Sequence, residues 1–424
     1  MRGAVIINID AVLPLKPLQR SMMCRYCSNE SSTEYHELYV YNINGKIDLS
    51  TIKETIHYID RNRDAMRSVF LWKNTNYPLQ VIRQHKQTKF TTLDTSRLLD
   101  DWIKEIWKKQ LDLSNAPYEV YWYSINMNQS YLLVKTHHIL MDGWSQSIWA
   151  NEFLNTYETL LEGNYPQFVS IKYQEYIENY INNSQKNKSF WQGKLLEFPK
   201  LSQYSIMKPD PKIITMEFKG LFNKITNYSK NAAVSFSSYI YTAWAIFLAI
   251  QENNNHVAFY ITLSGRENIP AVYADMIGMF INVIPVSIIL ESKALVTQIM
   301  KTVHQECLDG MFHQEVDIME LMLELPREYE LQIGSTIDLQ TYPLFTKRKN
   351  NIFTMEVCNH LFECHNDLLL AVRNADDDLL LELVYNRNKF GDTYGEFTSQ
   401  LIGEILEKML YPDITYDSIL QNGR

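Results

Sequence analysis

The segment His137–Ser145, with the sequence HHILMDGWS, constrains the fold of this chain more than any other stretch. The residues before it, 131–136, are mostly apolar and rich in β-forming side chains, so they predict a short strand. After it, apolar residues recur at roughly helical spacing as far as Leu161, which predicts a helix beginning near Ser145. The segment therefore predicts a turn between a strand and a helix, with two histidines at the end of the strand.

A turn of this kind is suited to acid/base chemistry. An imidazole titrates near neutral pH, and the first backbone N–H groups of a helix are exposed beside it. Gly143 permits close approach to the backbone at this point. A lone histidine is nevertheless more often a core residue than a catalyst, so the interpretation depends on further motifs.

Further motifs follow in order along the chain. HHILMDG fits an HHxxxDG signature, and the other segments are PLKPLQRSM (14–22), NRDAMRSVF (62–70), KYQEY (172–176), FWQGKL (190–195), TLSGRE (262–267), IGMFINVIPV (277–286) and FHQEV (312–316). In kind and in order, these segments resemble the motifs of condensation domains of nonribosomal peptide synthetases, which are relatives of chloramphenicol acetyltransferase. The resemblance spans nearly the whole chain.

The predicted order of strands and helices favours an α/β fold built from α+β layers. The resemblance implies two chloramphenicol-acetyltransferase-like lobes that form a V-shaped pseudo-dimer with an active-site tunnel between them. We expect the N-terminal lobe, which carries the HHxxxDG motif, at residues 1–178 and the C-terminal lobe at residues 179–424. The polar stretch 182–188, NNSQKNK, is the best candidate for the lobe junction.

The resemblance also implies a reaction. Condensation domains join a donor acyl or peptidyl thioester to the amine of an acceptor aminoacyl thioester, and carrier proteins deliver both substrates on phosphopantetheine arms. His138 matches the family's key histidine, and we expect it either to remove the amine proton or to position the amine. We expect the N–H of Gly143 to face the tetrahedral oxyanion.

The other motif residues are expected to support this site. His137 is predicted to be buried and hydrogen-bonded. In the family the motif aspartate pairs with the arginine of the LRTxF element, which implies an ion pair between Asp142 and Arg67. The remaining motif residues are expected to pack behind the turn or to line or brace the tunnel: Trp144, Ser145, Asn282 and Pro285.

Four positions depart from the family's pattern. Arg63 stands at the histidine position of RHExLRTxF, and Ser68 replaces threonine. Ser287 stands where many relatives carry arginine, and Glu315 replaces the aspartate of the HQD element. None of these changes touches HHxxxDG, so we expect catalytic competence and leave the acceptor-side contacts open.

The composition limits the class of protein. Of the 424 residues, 46% are hydrophobic and 21% are charged, which is typical of an ordinary globular protein. The formal charge of −9 argues against bulk nucleic-acid binding. The uncharged segment 231–251 is long enough for a membrane span, but its serines, threonine and tyrosines favour a core helix. We recognise no secretory signal and expect a soluble, cytoplasmic protein without a membrane partner.

Five cysteines fit a reducing compartment. Cys24 and Cys27 form a CxxC pair on a predicted helix, and CNHLFECH (358–365) lacks the tight turns that zinc usually needs. We therefore predict no metal site. We also predict no cofactor bound by the chain itself, because the phosphopantetheine arms would arrive with the carrier proteins.

Other functions remain as alternatives. Epimerisation domains share the fold and the HHxxxDG motif, but they usually carry an EGHGR-like element where this chain has TLSGRE. Heterocyclisation domains replace the histidines with a DxxxxD pattern. A catalytically silent recruitment platform would be expected to lose the second histidine, which is present here. Condensation is therefore the predicted function.

The chain has neither a GGxS carrier site nor an adenylation-type glycine-rich loop. We expect a freestanding condensation enzyme or an excised domain, monomeric, with donor and acceptor peptidyl carrier proteins, adenylation domains or other synthetase modules as partners. The PLKPLQ opening and the INVIPV form lean toward the subgroup that accepts a D-configured donor. A soluble amine or alcohol acceptor is an alternative for a freestanding member.

Overall fold

The computed structural model describes residues 8–28, 32–168, 171–199, 210–267, 269–325, 333–340, 345–350, 352–363 and 366–421. Its strands are β1 (Ile9–Pro14), β2 (His36–Gly45), β3 (Ser68–Leu71), β4 (Leu79–Arg83), β5 (Lys89–Thr92), β6 (Tyr118–Asn126), β7 (Gln129–His137), β8 (Pro211–Phe218), β9 (His256–Leu263), β10 (Asn282–Ile289), β11 (Ser335–Leu339), β12 (Lys347–Lys349), β13 (Phe353–Phe362), β14 (Leu368–Ala375) and β15 (Asp378–Asn386).

The helices alternate with these strands in both halves of the chain. They are α1 (Pro17–Ser28), α2 (Leu49–Asn62), α3 (Leu99–Lys108), α4 (Gly143–Leu161), α5 (Tyr173–Lys194), α6 (Leu221–Asn231), α7 (Phe236–Glu252), α8 (Val296–Phe312), α9 (Ile318–Glu324), α10 (Arg387–Phe390), α11 (Tyr394–Lys408) and α12 (Tyr416–Gln421). The predicted α/β fold class is confirmed.

The residues pack into two compact units. The first comprises Met1–Ile181, Ile269–Phe280 and Tyr342–Glu363, and the second comprises Asn182–Asn268, Ile281–Thr341 and Cys364–Arg424. This division differs from the single cut expected after residue 178, because two later segments return to the first unit. The return of β13 has a clear physical cause, since it pairs with β2 from Phe353 opposite Gly45 to Phe362 opposite Glu37. The polar stretch 182–188 lies inside α5.

The first unit contains a six-stranded sheet with the order β12-β13-β2-β7-β6-β5 and a three-stranded sheet with the order β1-β4-β3. Strands β6 and β7 form an antiparallel hairpin, with Tyr118 opposite Thr136. Most residues of β7 are buried, because strands cover both of its edges and side chains pack on both faces. This central position carries the end of β7, and with it the HHxxxDG turn, into the interior of the unit.

The second unit contains a six-stranded sheet with the order β10-β9-β11-β14-β15-β8. Its main helix, α7, packs into the hydrophobic core of this unit, as the uncharged segment 231–251 predicts. In the part of the chain that the structure describes, no single helix is long and apolar enough to cross a membrane; α6 and α7 pass that test only as a pair, bent by 104°.

Helix α2 begins at a side-chain cap. Asp48 is the N-cap, and its carboxylate accepts a hydrogen bond from the N–H of Thr51 at 2.7 Å. An ionised carboxylate also interacts favourably with the positive end of the helix dipole. The hydroxyls of Ser50 and Thr51 also donate hydrogen bonds to the Asp48 carboxylate. Together these hydrogen bonds lower the pKa of Asp48 to about 2.

Candidate active site

The HHxxxDG segment forms the connection between β7 and α4 in the first unit. His137 is the last residue of β7, residues 138–140 form a turn, and Gly143 is the first residue of α4. The helix begins two residues earlier than the predicted start at Ser145, because Asp142 acts as its N-cap. The carboxylate of Asp142 accepts a hydrogen bond from the N–H of Ser145 at 2.8 Å.

The same carboxylate fastens the turn to a distant segment of the chain. Asp142 is fully buried, and its second oxygen accepts a hydrogen bond from the N–H of Phe280 at 2.8 Å. The N–H of Asp142 in turn donates to the carbonyl of Gly278 at 3.2 Å. Ser145 adds a reciprocal pair, because its hydroxyl donates to the Gly278 carbonyl and accepts from the Gly278 N–H. The IGMF part of the IGMFINVIPV motif is therefore bound directly to the HHxxxDG turn.

Segment 278–280 is itself held from other sides. The ammonium group of Lys16, in the PLKPLQ motif, is buried and donates to the carbonyls of Met279 and Phe280 at 3.2 and 2.8 Å. The hydroxyl of Tyr173, in the KYQEY motif, donates to the Met279 carbonyl at 3.0 Å. Gly278 leaves room for the Tyr173 ring, because a Cβ at this position would lie 2.5 Å from a ring carbon. Four of the sequence motifs thus meet around one turn.

His137 is buried and hydrogen-bonded. Its Nδ1 accepts a hydrogen bond from the N–H of Ile139 at 3.0 Å, and only 1% of the residue is exposed. Burial is the main reason why the pKa of His137 lies well below its ordinary value, and the nearby His36 and His138 lower the pKa further. The ring is therefore neutral near pH 7, and this placement suits a residue that stabilises the turn.

His138 has a different environment. Its N–H donates to the carbonyl of Tyr35 at 2.7 Å, which ties the residue to the start of β2. The side chain is 23% exposed, and its Nδ1 is buried without a hydrogen-bond partner among the described residues. Nε2 lies 3.9 Å from a carboxylate oxygen of Glu37. Nε2 is therefore the nitrogen that can meet a reacting group.

Glu37 was not identified from the sequence as a site residue. Its side chain is 8% exposed, and its Oε1 lies 3.4 Å from Nε2 of His360 on β13. The hydroxyl of Tyr39 donates to the same oxygen at 3.3 Å. A glutamate in a strand whose neighbours are mostly apolar, EYHELYVY, is the one signal that could have pointed to it.

The predicted ion pair between Arg67 and Asp142 is wrong. The guanidinium of Arg67 contacts Asp10 at 2.5 Å and Asp64 at 2.6 Å, and it also donates to the carbonyls of Arg83 and Gln84. Asp64 lies three residues before Arg67, at the start of a 3-10 turn. Because Asp64 is so near in the chain, its carboxylate forms the ion pair with Arg67. Asp142 uses its oxygens for the N–H groups of Ser145 and Phe280.

Two departures from the family's pattern have partners of their own. Arg63 forms an ion pair with Glu152 on α4, with Nε 3.0 Å from the carboxylate. Glu315 accepts a hydrogen bond from the side chain of Asn183 at 2.6 Å. The first contact lies within the first unit and the second within the second unit. Neither contact involves a residue of HHxxxDG.

The remaining predicted residues fall into two groups. In the first unit, Trp144 is half-buried in the first turn of α4, beside the buried Ser145. In the second unit, Asn282 and Pro285 are buried on β10, which is an edge strand and so tolerates a proline. The Asn282 amide donates to the Gln314 carbonyl. That these two residues line or brace the tunnel stays a prediction.

The described residues contain no group of three or more His, Cys, Asp and Glu side chains with the geometry of a metal site. Cys24 and Cys27 are exposed on α1 with free thiols, and Cys358 is exposed on β13. Cys364 and His365 of the CNHLFECH segment lie outside the described residues.

Comparison with known proteins adds an independent finding. The model of the condensation-domain family matches residues 9–412. Bacitracin synthase 1 of Bacillus licheniformis is 24% identical over an alignment of 427 residues, which covers 95% of this chain and 8% of that protein. This chain therefore spans only a small part of that relative's length.

Two solved structures show the same fold. The first condensation domain of the calcium-dependent antibiotic synthetase, in complex with substrate analogue 3a, matches with a TM-score of 0.76 and 13% identity over 97% of this chain and 99% of that one. The X-domain in complex with OxyB, from teicoplanin biosynthesis, matches with a TM-score of 0.82 and 16% identity over 99% and 98% of the two chains. With the family model matching nearly the whole length, this chain belongs to the condensation-domain family of nonribosomal peptide synthetases.

Proposed function

We propose that this chain forms an amide bond between a donor acyl or peptidyl thioester and the amine of an acceptor, with both substrates carried on phosphopantetheine arms of peptidyl carrier proteins. The observation that carries the proposal is the placement of His138. Its backbone is hydrogen-bonded to Tyr35, its Nδ1 is buried, and part of its ring is open to a reactant. A base held in this way can act on an incoming amine.

The reaction needs little more than a base and alignment. A thioester is already activated, and holding two reactants together contributes on the order of 7–11 kcal/mol when they are well aligned. The amine nitrogen attacks the thioester carbonyl carbon and gives one proton to Nε2 of His138. The C–N bond forms, the carbonyl becomes an oxyanion, and its collapse breaks the C–S bond. The departing thiolate takes the proton back from His138, so no proton is gained or lost.

Gly143 is proposed as the donor to that oxyanion. It is the first residue of α4, and the first N–H groups of a helix have no acceptor within the helix. Asp142 supports this arrangement, because it caps Ser145 and leaves the start of the helix in a defined position. His137 is proposed to have a structural role only, since its buried neutral ring contacts the turn itself.

The test is a reconstituted reaction with loaded donor and acceptor carrier proteins, followed by intact-protein mass spectrometry. The wild-type chain should produce an amide on the acceptor carrier. His138→Ala should lower the rate by roughly 10²–10⁴-fold while the melting temperature stays nearly unchanged. His304→Ala, which removes a half-buried histidine on α8, is the matched control and should leave the rate unchanged. Full activity of His138→Ala would refute the assignment.

The same assay separates the alternatives. An epimerisation domain would change the configuration of the loaded residue without forming an amide, and chiral analysis of the released amino acid detects this change. A binding-only platform would retain the carriers but release no product. A donor panel of D- and L-configured residues tests the proposed preference for a D-configured donor, and soluble amines and alcohols test whether the acceptor must be carrier-bound.

A further inference from the structure

Three strands of the first unit bring a carboxylate and two imidazoles together. Glu37 and Tyr39 lie two residues apart on β2 and so point to the same face of the sheet. On β13, His360 lies opposite Tyr39 and its ring stacks on the tyrosine at 4.0 Å between centroids. On the other side, His138 follows the end of β7, where His137 lies opposite His36 of β2.

Glu37 is the central group of this cluster. Its Oε1 lies 3.9 Å from Nε2 of His138 and 3.4 Å from Nε2 of His360. Its other oxygen, Oε2, is buried and has no hydrogen-bond partner among the described residues. A buried carboxylate is costly unless nearby charges or donors compensate it, so its position beside His138 requires an explanation.

The carboxylate is ionised near neutral pH. Burial by itself raises the pKa of Glu37, but His138, His360 and the Tyr39 hydroxyl outweigh that effect, and the pKa lies below its ordinary value. Burial lowers the pKa of His36 to about 4 and holds the pKa of His137 well below its ordinary value, so both of these rings are neutral near pH 7. Glu37 is thus the charged group within ion-pair distance of His138.

We propose that Glu37 is a positioning residue that stabilises the imidazolium formed when His138 accepts the proton of the attacking amine. This inference rests on the proposed function. His138 gains a positive charge when it accepts the amine proton, so a carboxylate 3.9 Å away stabilises the transition state more than the state before proton transfer. His360 lies beside the same carboxylate oxygen, so it reduces the stabilisation that Glu37 gives to His138. The distance of 3.9 Å is too long for a direct hydrogen bond, so the interaction is that of two charges.

The test compares Glu37→Gln with the wild type in the amide-forming assay across pH. The substitution keeps the shape and removes the charge. We expect kcat to fall on the order of tenfold, with the acceptor KM changed less than about twofold. The acid limb of the kcat profile should move to lower pH, because an imidazolium beside an amide is less stable than one beside a carboxylate. His360→Asn should move the same limb to higher pH, since Glu37 then acts on His138 alone.

Two further variants make the result specific. Glu37→Asp keeps the charge and should restore the position of the acid limb. Glu119→Gln removes another buried carboxylate of the same sheet, paired with Lys89 and Lys109, and should leave the limb in place. A profile of Glu37→Gln that superimposes on the wild type would overturn the proposal. So would a change confined to the acceptor KM, which would mean that Glu37 binds the amine instead.

A second measurement does not depend on activity. NMR titration of the His138 ring should show its transition at lower pH in Glu37→Gln than in the wild type. An unchanged transition would overturn the role of Glu37, whatever the assay shows. A wild-type chain that forms no amide, yet shows this shift, would refute the proposed function and leave the Glu37–His138 interaction established.

Discussion

Asp142 and Phe280 lie 138 residues apart in the chain, and the carboxylate of the first accepts the backbone N–H of the second at 2.8 Å. This bond joins the turn after β7 to the segment before β10. The same carboxylate caps α4 through Ser145. One buried side chain therefore sets the start of the helix and also binds the turn to Phe280. These two hydrogen bonds give Asp142 a structural role in the turn.

Removal of this carboxylate should be more costly than removal of an ordinary helix cap. Asp142→Ala loses the cap and leaves the N–H of Phe280 without its acceptor, so we expect the free energy of unfolding to fall by roughly 2–4 kcal/mol. Asp48→Ala removes the exposed cap of α2 and should cost about 1 kcal/mol. Urea unfolding followed by circular dichroism measures both. Equal losses would contradict the structural role of the bond to Phe280.

Gly278 should not tolerate a side chain. A Cβ there would lie 2.5 Å from the Tyr173 ring, so Gly278→Ala should destabilise the protein by about 1–3 kcal/mol. Gly193, within α5, has no atom within 4 Å of an added Cβ. Gly193→Ala should therefore stabilise the protein by up to about 1 kcal/mol, because alanine favours a helix. Thermal unfolding of the two variants should give shifts of opposite sign; a shift of the same sign in both would be inconsistent with the packing described.

A double-mutant cycle can test the observed partner of Arg67. The coupling between Arg67→Met and Asp64→Asn should exceed about 1 kcal/mol, because the two side chains are 2.6 Å apart, with Arg67 buried and Asp64 half-buried. The effects of Arg67→Met and Asp142→Asn should add within about 0.5 kcal/mol, because the described residues show no contact between these two side chains. Chemical denaturation gives all the required values. Strong coupling between Arg67 and Asp142 would instead support the ion pair that the sequence predicted.

Stability should depend on pH through the two buried histidines at the β2–β7 pairing. In the folded chain the pKa values of His36 and His137 are lowered, whereas in the unfolded chain they return to about 6.5. Below pH 6.5 the unfolded state binds protons that the folded state does not, so stability decreases as the pH falls from about 6.5 toward 4. Above pH 6.5 the two states bind equally few protons at these residues, and this contribution disappears.

His137→Asn tests this dependence, because an amide oxygen can still accept the N–H of Ile139. Relative to the wild type, the decrease in unfolding free energy between pH 6.5 and 5 should be smaller by roughly 1.4 kcal/mol per pH unit. Urea denaturation at several pH values supplies the comparison. Parallel stability curves for the two proteins would show that His137 takes up its proton in the folded state as well.

Local pattern alone predicted many elements. The strand predicted at residues 131–136 lies within β7, and the core helix predicted in segment 231–251 is α7. These features depend on side chains a few residues apart. The strand–turn–helix form of the HHxxxDG segment belongs to the same class, and its motif also predicted the family.

Sequence patterns and motifs therefore predicted the α/β fold class, the strand and helix on either side of the HHxxxDG turn, and the histidines at the end of β7. The partners of the buried charges became visible only in the folded unit, where Asp142 binds Phe280, Arg67 binds Asp64 and Asp10, and Glu37 lies between His138 and His360. The difference arises from distance along the chain. Periodicity reports which face of an element is buried, but the partner of a buried charge depends on which strands and segments pack side by side, and that arises only when the whole unit has folded.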